Sequence, residues 1–381
     1  MLPDLRKDFN ARFTPAKYQQ FLAELDRRCG AHVKFRNCET PCFFPVELMQ
    51  KMVESGKELI LQLISNPEYM AASTRSIPAE YNVPNEAPHP LFIQVDFGID
   101  ANLEPKLVEI QGFPSLYAYQ PVLAETYRDV YGLRGLRYLL FEGDYPALLS
   151  KAIVGDCDPE NVILMEIEPE QQKTRPDFLA TEKCCGVRTI SVTDVRKRGR
   201  RLYCGETPIH RIYNRVIVDE LQRTGVQPCF DFRDDLDVEW AGHPNWYFRM
   251  SKFSIPYLRH ESVPKTCFLA DLMEIPDDLE NYVLKPLYSF AGLGVVIGPT
   301  RAQIAAADPS QYILQEKVNF QPVIETPFGP TKAEVRVMYI WLDTLEAVTT
   351  IIRMGRGKMM GVDHNRDMEW VGASAGFIVR S

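Results

Sequence analysis

Histidine is scarce in this chain, with 6 residues in 381. His210, His243 and His364 stand at no metal-ligand spacing and beside no serine or cysteine partner, which argues against a histidine metal centre or a nucleophilic dyad. A surplus of positive charge is also missing. Lys and Arg number 43 against 51 Asp and Glu, for a net charge of −8, which excludes a broad nucleic-acid-binding face. No run is long and apolar enough to span a bilayer, and Met1–Asp8 lacks the apolar core of an export signal. These absences predict a cytoplasmic protein without membrane or nucleic-acid partners. The 9 cysteines are an odd number at irregular spacings, so reduced thiols are expected. Cys38-x-x-x-Cys42 has no second Cys or His pair nearby for zinc, and reads as two buried thiols. Adjacent Cys184 and Cys185 make a poor ligand pair. Repeats and low-complexity tracts are lacking too.

What is there is ordinary for a globular protein: 45% hydrophobic and 25% charged residues, enough chain for two or three domains. Apolar spacing predicts helices over 15–29 and 46–65, then a Pro- and Asn-rich loop over 74–90. Leu91–Phe97 and Lys106–Gln111 read as two strands joined by turn chemistry at Gly98–Asn102, followed by helix over 116–141. Residues 150–235 alternate in the manner of a small parallel sheet: strands at 161–167, 187–192 and within 209–218, and a helix at 169–184. The basic run Arg196–Arg201 reads as a charged hairpin tip. A helix and a Pro264-bounded strand are expected in 243–275, and strands with one short helix near 301–307 in 282–353. The expected units are a helical region 1–90, strands and a helix over 91–149, an α/β domain 150–240 and a strand-rich unit 241–381.

One stretch stands out. Tyr282–Leu284 is a β-rich run that delivers Lys285; Ser289-Phe290-Ala291-Gly292-Leu293-Gly294 is a small, flexible turn; Val295–Ile297 is β-rich again. Such a tip can fold its backbone N–H groups over an anion, with the lysine as a fixed charge beside it. A lone Gly-x-Gly hairpin is weak support, but it has company. Ser251-Lys252-Phe253 lies upstream in a helix-like stretch. Tyr312-Ile313-Leu314-Gln315-Glu316-Lys317-Val318 is a strand ending in polar residues. Lys332–Ile340 alternates charged and apolar positions through Glu334 and Arg336. Ile351-Ile352-Arg353 runs into a Gly-rich loop. Singly, Lys252 reads as a solvated lysine and Arg336 as half of a cross-strand pair. A triphosphate, however, needs several cations around it.

This order resembles the ATP-grasp superfamily, specifically its glutathione-synthetase-like ATP-binding domain, over about residues 243–357. The resemblance implies that Lys252 and Lys285 hold the α- and β-phosphates and that 289–294, with Ser289, Gly292 and Gly294, form the lid. It implies that Gln315, Glu316, Lys317 and Val318 form the hinge against adenine, and that Arg336 and Arg353 face the transferred phosphate and the acyl substrate.

The family's acidic magnesium ligands ordinarily follow the equivalent of Arg353, as Asp on one strand and Glu-x-Asn on the next. The tail after Met359 offers only Asp363-His364-Asn365-Arg366-Asp367. The pattern stands instead near the front, as Asp96 and Glu109-Ile110-Gln111, with Gln in place of Asn. In a strand Glu109 and Gln111 share a face, which Asp96 reaches across an antiparallel hairpin; hard oxygen ligands suit Mg²⁺. The arrangement is similar to that of glutathionylspermidine synthetase relatives and implies a circular permutation. The expected fold is α/β (α+β): a permuted ATP-grasp with a small parallel-sheet pre-ATP-grasp domain at 150–240. The activity implied is ADP-forming ligation of a small-molecule carboxylate to an amine or thiol, with ATP and Mg²⁺. A degenerate nucleotide-binding module and a kinase stay open beside it. The Gly355–Arg366 loop is either a closure over an acidic substrate or a solvated tail.

Overall fold

Alternation of side chains decides the central sheet. In a strand successive residues point to opposite faces, and here one set is apolar and the other charged. A computed structural model describes residues 2–289, 292–362, 365 and 367–379, without the side chains of 218 and 219. Phe290 and Ala291 of the predicted lid, and Asp363, His364 and Arg366 of the C-terminal loop, lie outside the described residues. Phe92–Ile99 pairs antiparallel with Pro105–Gln111 on one side and with Lys332–Trp341 on the other. Leu345–Gly355 and Gly372–Ser374 complete five strands in the order 372–374, 345–355, 332–341, 92–99, 105–111. Val95, Phe97, Val335, Val337 and Tyr339 bury one face against Met49, Met52, Leu59 and Ile60 of the helix Val46–Ser65. That helix comes close because position 56 is glycine: a Cβ there would lie 2.0 Å from the Tyr339 hydroxyl oxygen. The hydroxyl donates to the Val53 carbonyl at 2.8 Å. The opposite face carries Gln94, Asp96, Glu334 and Arg336.

A second, four-stranded antiparallel sheet has the order 266–268, 312–316, 282–286, 296–297. Leu269, Leu279, Leu284, Ile304 and Leu314 form its small core, closed by helix Arg301–Ala306 with a Thr300–Gln303 capping box. Parallel strands Glu239–Ala241, Arg211–Asn214, Val162–Glu166 and Arg188–Ser191 make the third sheet. The result is an α+β fold that mixes parallel and antiparallel sheets.

The basic run is a hairpin tip, Val195–Arg198 against Arg201–Cys204, and three of its five charges meet acids. Lys197 meets Asp234, Arg198 meets Glu206, and Arg200 meets Asp235 and Asp237. All 9 cysteines are free thiols, with Cys38 and Cys42 fully buried.

Several elements differ from the sequence patterns. The helix expected over 116–141 is Tyr119–Tyr131, stopped by Gly132 at φ 70°, and Tyr145–Val154 is a separate helix. Helix Arg175–Cys185 starts later than 169, after Glu168 at φ 42° and with Pro176 in its first turn. In place of one helix after 243 come Asn245–Arg249 and a 3₁₀ segment, Lys252–Tyr257, that contains Pro256. Helices Pro3–Arg12 and Pro67–Ser76 were not foreseen, nor was Gly376–Val379, which pairs in parallel with Cys42–Pro45. That last pairing joins positions more than 330 residues apart, which local patterns do not report.

Candidate functional site

The charged face of the five-stranded sheet and the inner face of the four-stranded sheet border one cavity of about 1210 Å³. Its lining includes eight Lys or Arg and five Asp or Glu side chains, an excess of positive charge in a chain whose net charge is −8. Of the residues singled out above, Asp96, Glu109, Gln111, Lys252, Lys285, Ser289, Gly292, Gln315, Glu316, Lys317, Val318, Arg336 and Arg353 all line it. Gly294 does not; it packs against Pro286. Tyr117 and Tyr119 are fully buried, the Tyr117 hydroxyl against the carbonyls of Ile93 and Tyr339. His243 is buried with a ring nitrogen 3.0 Å from the Pro84 carbonyl, outside the cavity.

Residues 240 apart meet at the centre. Arg336 sits opposite Asp96 in register and grips its carboxylate through Nε at 2.5 Å and Nη2 at 2.6 Å. Its Nη1 donates to Gln94 Oε1 at 2.8 Å. Arg353 adds a third bond to Asp96 at 3.1 Å and pairs with Glu334, its register partner. Burial works against a charged Asp96, yet Arg336 and Arg353 hold its carboxyl below the usual range. Burial pushes Glu334 up in spite of Arg353. Burial also opposes the Arg353 charge, but Asp96 and Glu334 outweigh it and keep that guanidinium firmly protonated.

The lysines come from the other sheet and the 3₁₀ segment. Lys252 Nζ donates to Glu109 Oε1 at 2.7 Å and to the Ser289 carbonyl at 2.9 Å, tying the glycine hairpin to the front strand pair. Lys285 Nζ donates to Gln315 Oε1 at 2.5 Å and to the Val108 carbonyl at 2.8 Å. The second acceptor exists because of a bulge. Asp96 pairs with Glu109 and Phe97 with Leu107, so Val108 has no cross-strand partner. Burial pushes the Lys285 ammonium down to about 8, with nearby Glu109 opposing the shift.

The hinge segment docks directly on the front strand. A Cβ at Gly98 would lie 2.8 Å from both Val318 Cγ1 and the Phe320 ring, and Gln321 N–H donates to the Ile99 carbonyl at 2.8 Å. In the loop after Arg353, the described residues are tied together by Asn365. Asn365, buried, accepts from the N–H groups of Arg356 and Gly357 and donates to the carbonyls of Met359 and Gly361. It thereby sets Lys358, Met359, Met360 and Gly361 against the cavity. The Val108 bulge, Glu334 and Asn365 were not picked out from the sequence. For Glu334, its place two residues before Arg336 in an alternating strand was the available signal; for the other two there was none.

Among the described residues no three His, Cys, Asp or Glu side chains are gathered as a metal site. Each central acid is answered by a basic side chain instead. The donor set of Glu109 and Gln111 on one strand face still suits a hard cation. Asp96 can join it only by loosening its arginines. No helix among the described residues is long and apolar enough to cross a membrane.

The sequence matches no family model and no curated protein. Structural comparison does find likeness. A glutathione synthetase-like effector from Globodera pallida, solved in its apo form, superposes on 97% of this chain and 99% of its own, with TM-score 0.62 and 11% identity. The chain therefore shares its overall fold with that protein, which is consistent with the ATP-grasp resemblance of the sequence.

Proposed function

We propose that the chain is an ATP- and Mg²⁺-dependent ligase joining a small-molecule carboxylate to an amine or thiol. A substrate carboxylate oxygen attacks the γ-phosphorus of ATP, the bond to the β-phosphate oxygen breaks, and ADP leaves. The amine or thiol then attacks the acyl carbon and phosphate departs. One observation carries this reading: acids from the first third of the chain and lysines and arginines from the last third line a single cavity with a surplus of positive charge. Lys252 and Lys285 would hold the phosphates, while Arg336 and Arg353 would stabilise charge on the group in transfer. Glu316, Lys317 and Val318 would border the base. Mg²⁺, held by Glu109 and Gln111 with Asp96, would offset phosphate charge when bound. In this reading the hairpin of residues 92–111 is the permuted closing piece of the ATP-grasp core, and 150–240 is the pre-ATP-grasp domain. The test is ADP release on incubation with ATP, Mg²⁺ and pools of amino acids and amines. Tight ATP binding with no ADP from any pool rejects the ligase.

A second reading, nucleotide binding without turnover, is favoured by Gln111 standing for Asn and by the arginines closed on Asp96. If it holds, Gln111→Asn raises ATP turnover at least about tenfold by shortening the ligand by one methylene. Under the ligase reading the same change alters turnover little. Steady-state ADP production by both proteins separates the two.

Affinity for ATP is expected to hold steady up to about pH 8 and to fall above it. Lys285 is charged below its value of about 8 and neutral above it, and only the charged form attracts phosphate. Above pH 8 the free protein must take up a proton to bind, which weakens affinity by up to about tenfold per pH unit. Calorimetric titrations at pH 7, 8 and 9 measure this; equal affinities throughout remove Lys285 from the phosphate contacts.

A further inference from the structure

Beside the arginines the cavity turns apolar. Ile351 stands opposite Arg336 in register and Ala373 opposite Arg353, and directly opposed residues share a sheet face. Ile351 and Ala373 line the cavity, as do Phe35 and Leu116. The Ala373 N–H donates to the Arg36 carbonyl at 2.9 Å, which brings Phe35 to the same end. Leu116 packs with the clusters that hold Phe35 and Ile351. These apolar side chains stand where a carboxylate held at the arginines places its carbon body. Asp96 and Glu334, the acids on that sheet face, are already bound to arginine.

Leu116 is fixed there against its own backbone preference. Its φ is 65°, a left-handed conformation that residues with a Cβ rarely adopt. Asp177, wholly buried, enforces it. Its Oδ2 accepts from the Leu116 N–H at 3.1 Å, and its Oδ1 from the N–H groups of Ala118 and Tyr119 at 3.1 and 3.0 Å. Arg215 Nη1, at 2.5 Å, holds the carboxylate in turn. Glycine would make this turn without strain; leucine adds a side chain to the cavity wall. Strained residues persist where their surroundings over-determine them, and they gather at ligand sites.

We infer that Phe35, Leu116, Ile351 and Ala373 select the carboxylate substrate, and that this substrate carries a branched aliphatic or aromatic body, as in leucine, phenylalanine or 3-methylbutanoate. This deepens the ligase reading and rests on it. Burial of such a body against the four side chains is favourable. A second carboxylate placed among them is costly unless a cation meets it. Exposed Lys173 also lines the cavity; a dicarboxylate would have to reach it, and the acidic arm of the test checks this.

The experiment gives the wild-type chain ATP, Mg²⁺, hydroxylamine and one carboxylate at a time, and measures ADP and hydroxamate; no variant has to fold for this arm. The carboxylate oxygen displaces ADP from the γ-phosphorus. The hydroxylamine nitrogen then attacks the acyl carbon, phosphate leaves, the nitrogen loses a proton to water, and a hydroxamate remains. With leucine, phenylalanine or 3-methylbutanoate, kcat/KM is expected to exceed that with glutamate, aspartate or glycine by at least about tenfold. Leu116→Asn puts a polar group in the wall and keeps a residue that tolerates left-handed backbone. It is expected to raise KM for the best apolar donor about tenfold and to bring the ratio of apolar to acidic donors toward one. Equal or faster reaction of the wild type with glutamate or aspartate overturns the apolar pocket and leaves the ligase reading intact. An unchanged ratio in a folded Leu116→Asn protein overturns the place of Leu116 in that pocket. Absence of ADP with every carboxylate overturns the ligase reading, and this inference with it.

Discussion

Asp96→Ala costs about 3–5 kcal/mol of folding free energy, because it strands two buried guanidinium groups. Asp96 is 2% exposed and accepts three charge-assisted hydrogen bonds, two from Arg336 and one from Arg353. Without it, Arg336 keeps Gln94 and Arg353 keeps Glu334, so two guanidinium groups face one carboxylate and one neutral oxygen in a buried setting. Urea unfolding measures the loss; less than about 1 kcal/mol shows that the network is not what holds the two chain segments together. Adding Arg336→Met restores part of the loss, since it removes one of the stranded charges, and the double-mutant cycle gives the coupling directly.

Lys285→Met has the opposite signature. Folding stability stays within about 1–2 kcal/mol of wild type, because an apolar side chain of similar length replaces a buried ammonium whose desolvation already disfavours its charge. The carbonyl of Val108 and the oxygen of Gln315 each lose a donor, which is the destabilising side of the exchange. ATP affinity, in contrast, falls about 10- to 100-fold, the usual worth of a charged contact to phosphate. Unchanged affinity in a folded Lys285→Met protein takes the lysine out of the nucleotide site. Taken with the Asp96 result, the pair separates a cavity residue that the fold needs from one that only binding needs.

Much of the site was legible because charge in an alternating strand has few explanations. Asp96 and Arg336 occupy strands whose other face is apolar, and Arg353 one where Thr350 alone interrupts Ile352 and Met354, so their side of the sheet had to be special. The Lys285 hairpin announced itself through its glycines. What stayed hidden is three-dimensional. The bulge that frees the Val108 carbonyl arises from a register shift between two strands, and no local pattern encodes it. Asn365 acts through four hydrogen bonds to a loop that precedes it, and in sequence it is one polar residue among several. Helix limits failed where backbone conformation overrides apolar spacing, as at Gly132 and Glu168. Gly98 read as turn material, but its role is to let the hinge segment lie against the strand.

The central sheet also sets a timetable for synthesis. Phe92–Ile99 pairs early with Pro105–Gln111 but finds its second neighbour only when Lys332–Trp341 has been made, and the Asp96–Arg336 contact spans 240 residues. At roughly 5–20 residues per second, the ribosome leaves that strand edge waiting for about ten to fifty seconds. An unpaired edge is a template for other chains, so the nascent polypeptide carries an edge open to association until its final third emerges.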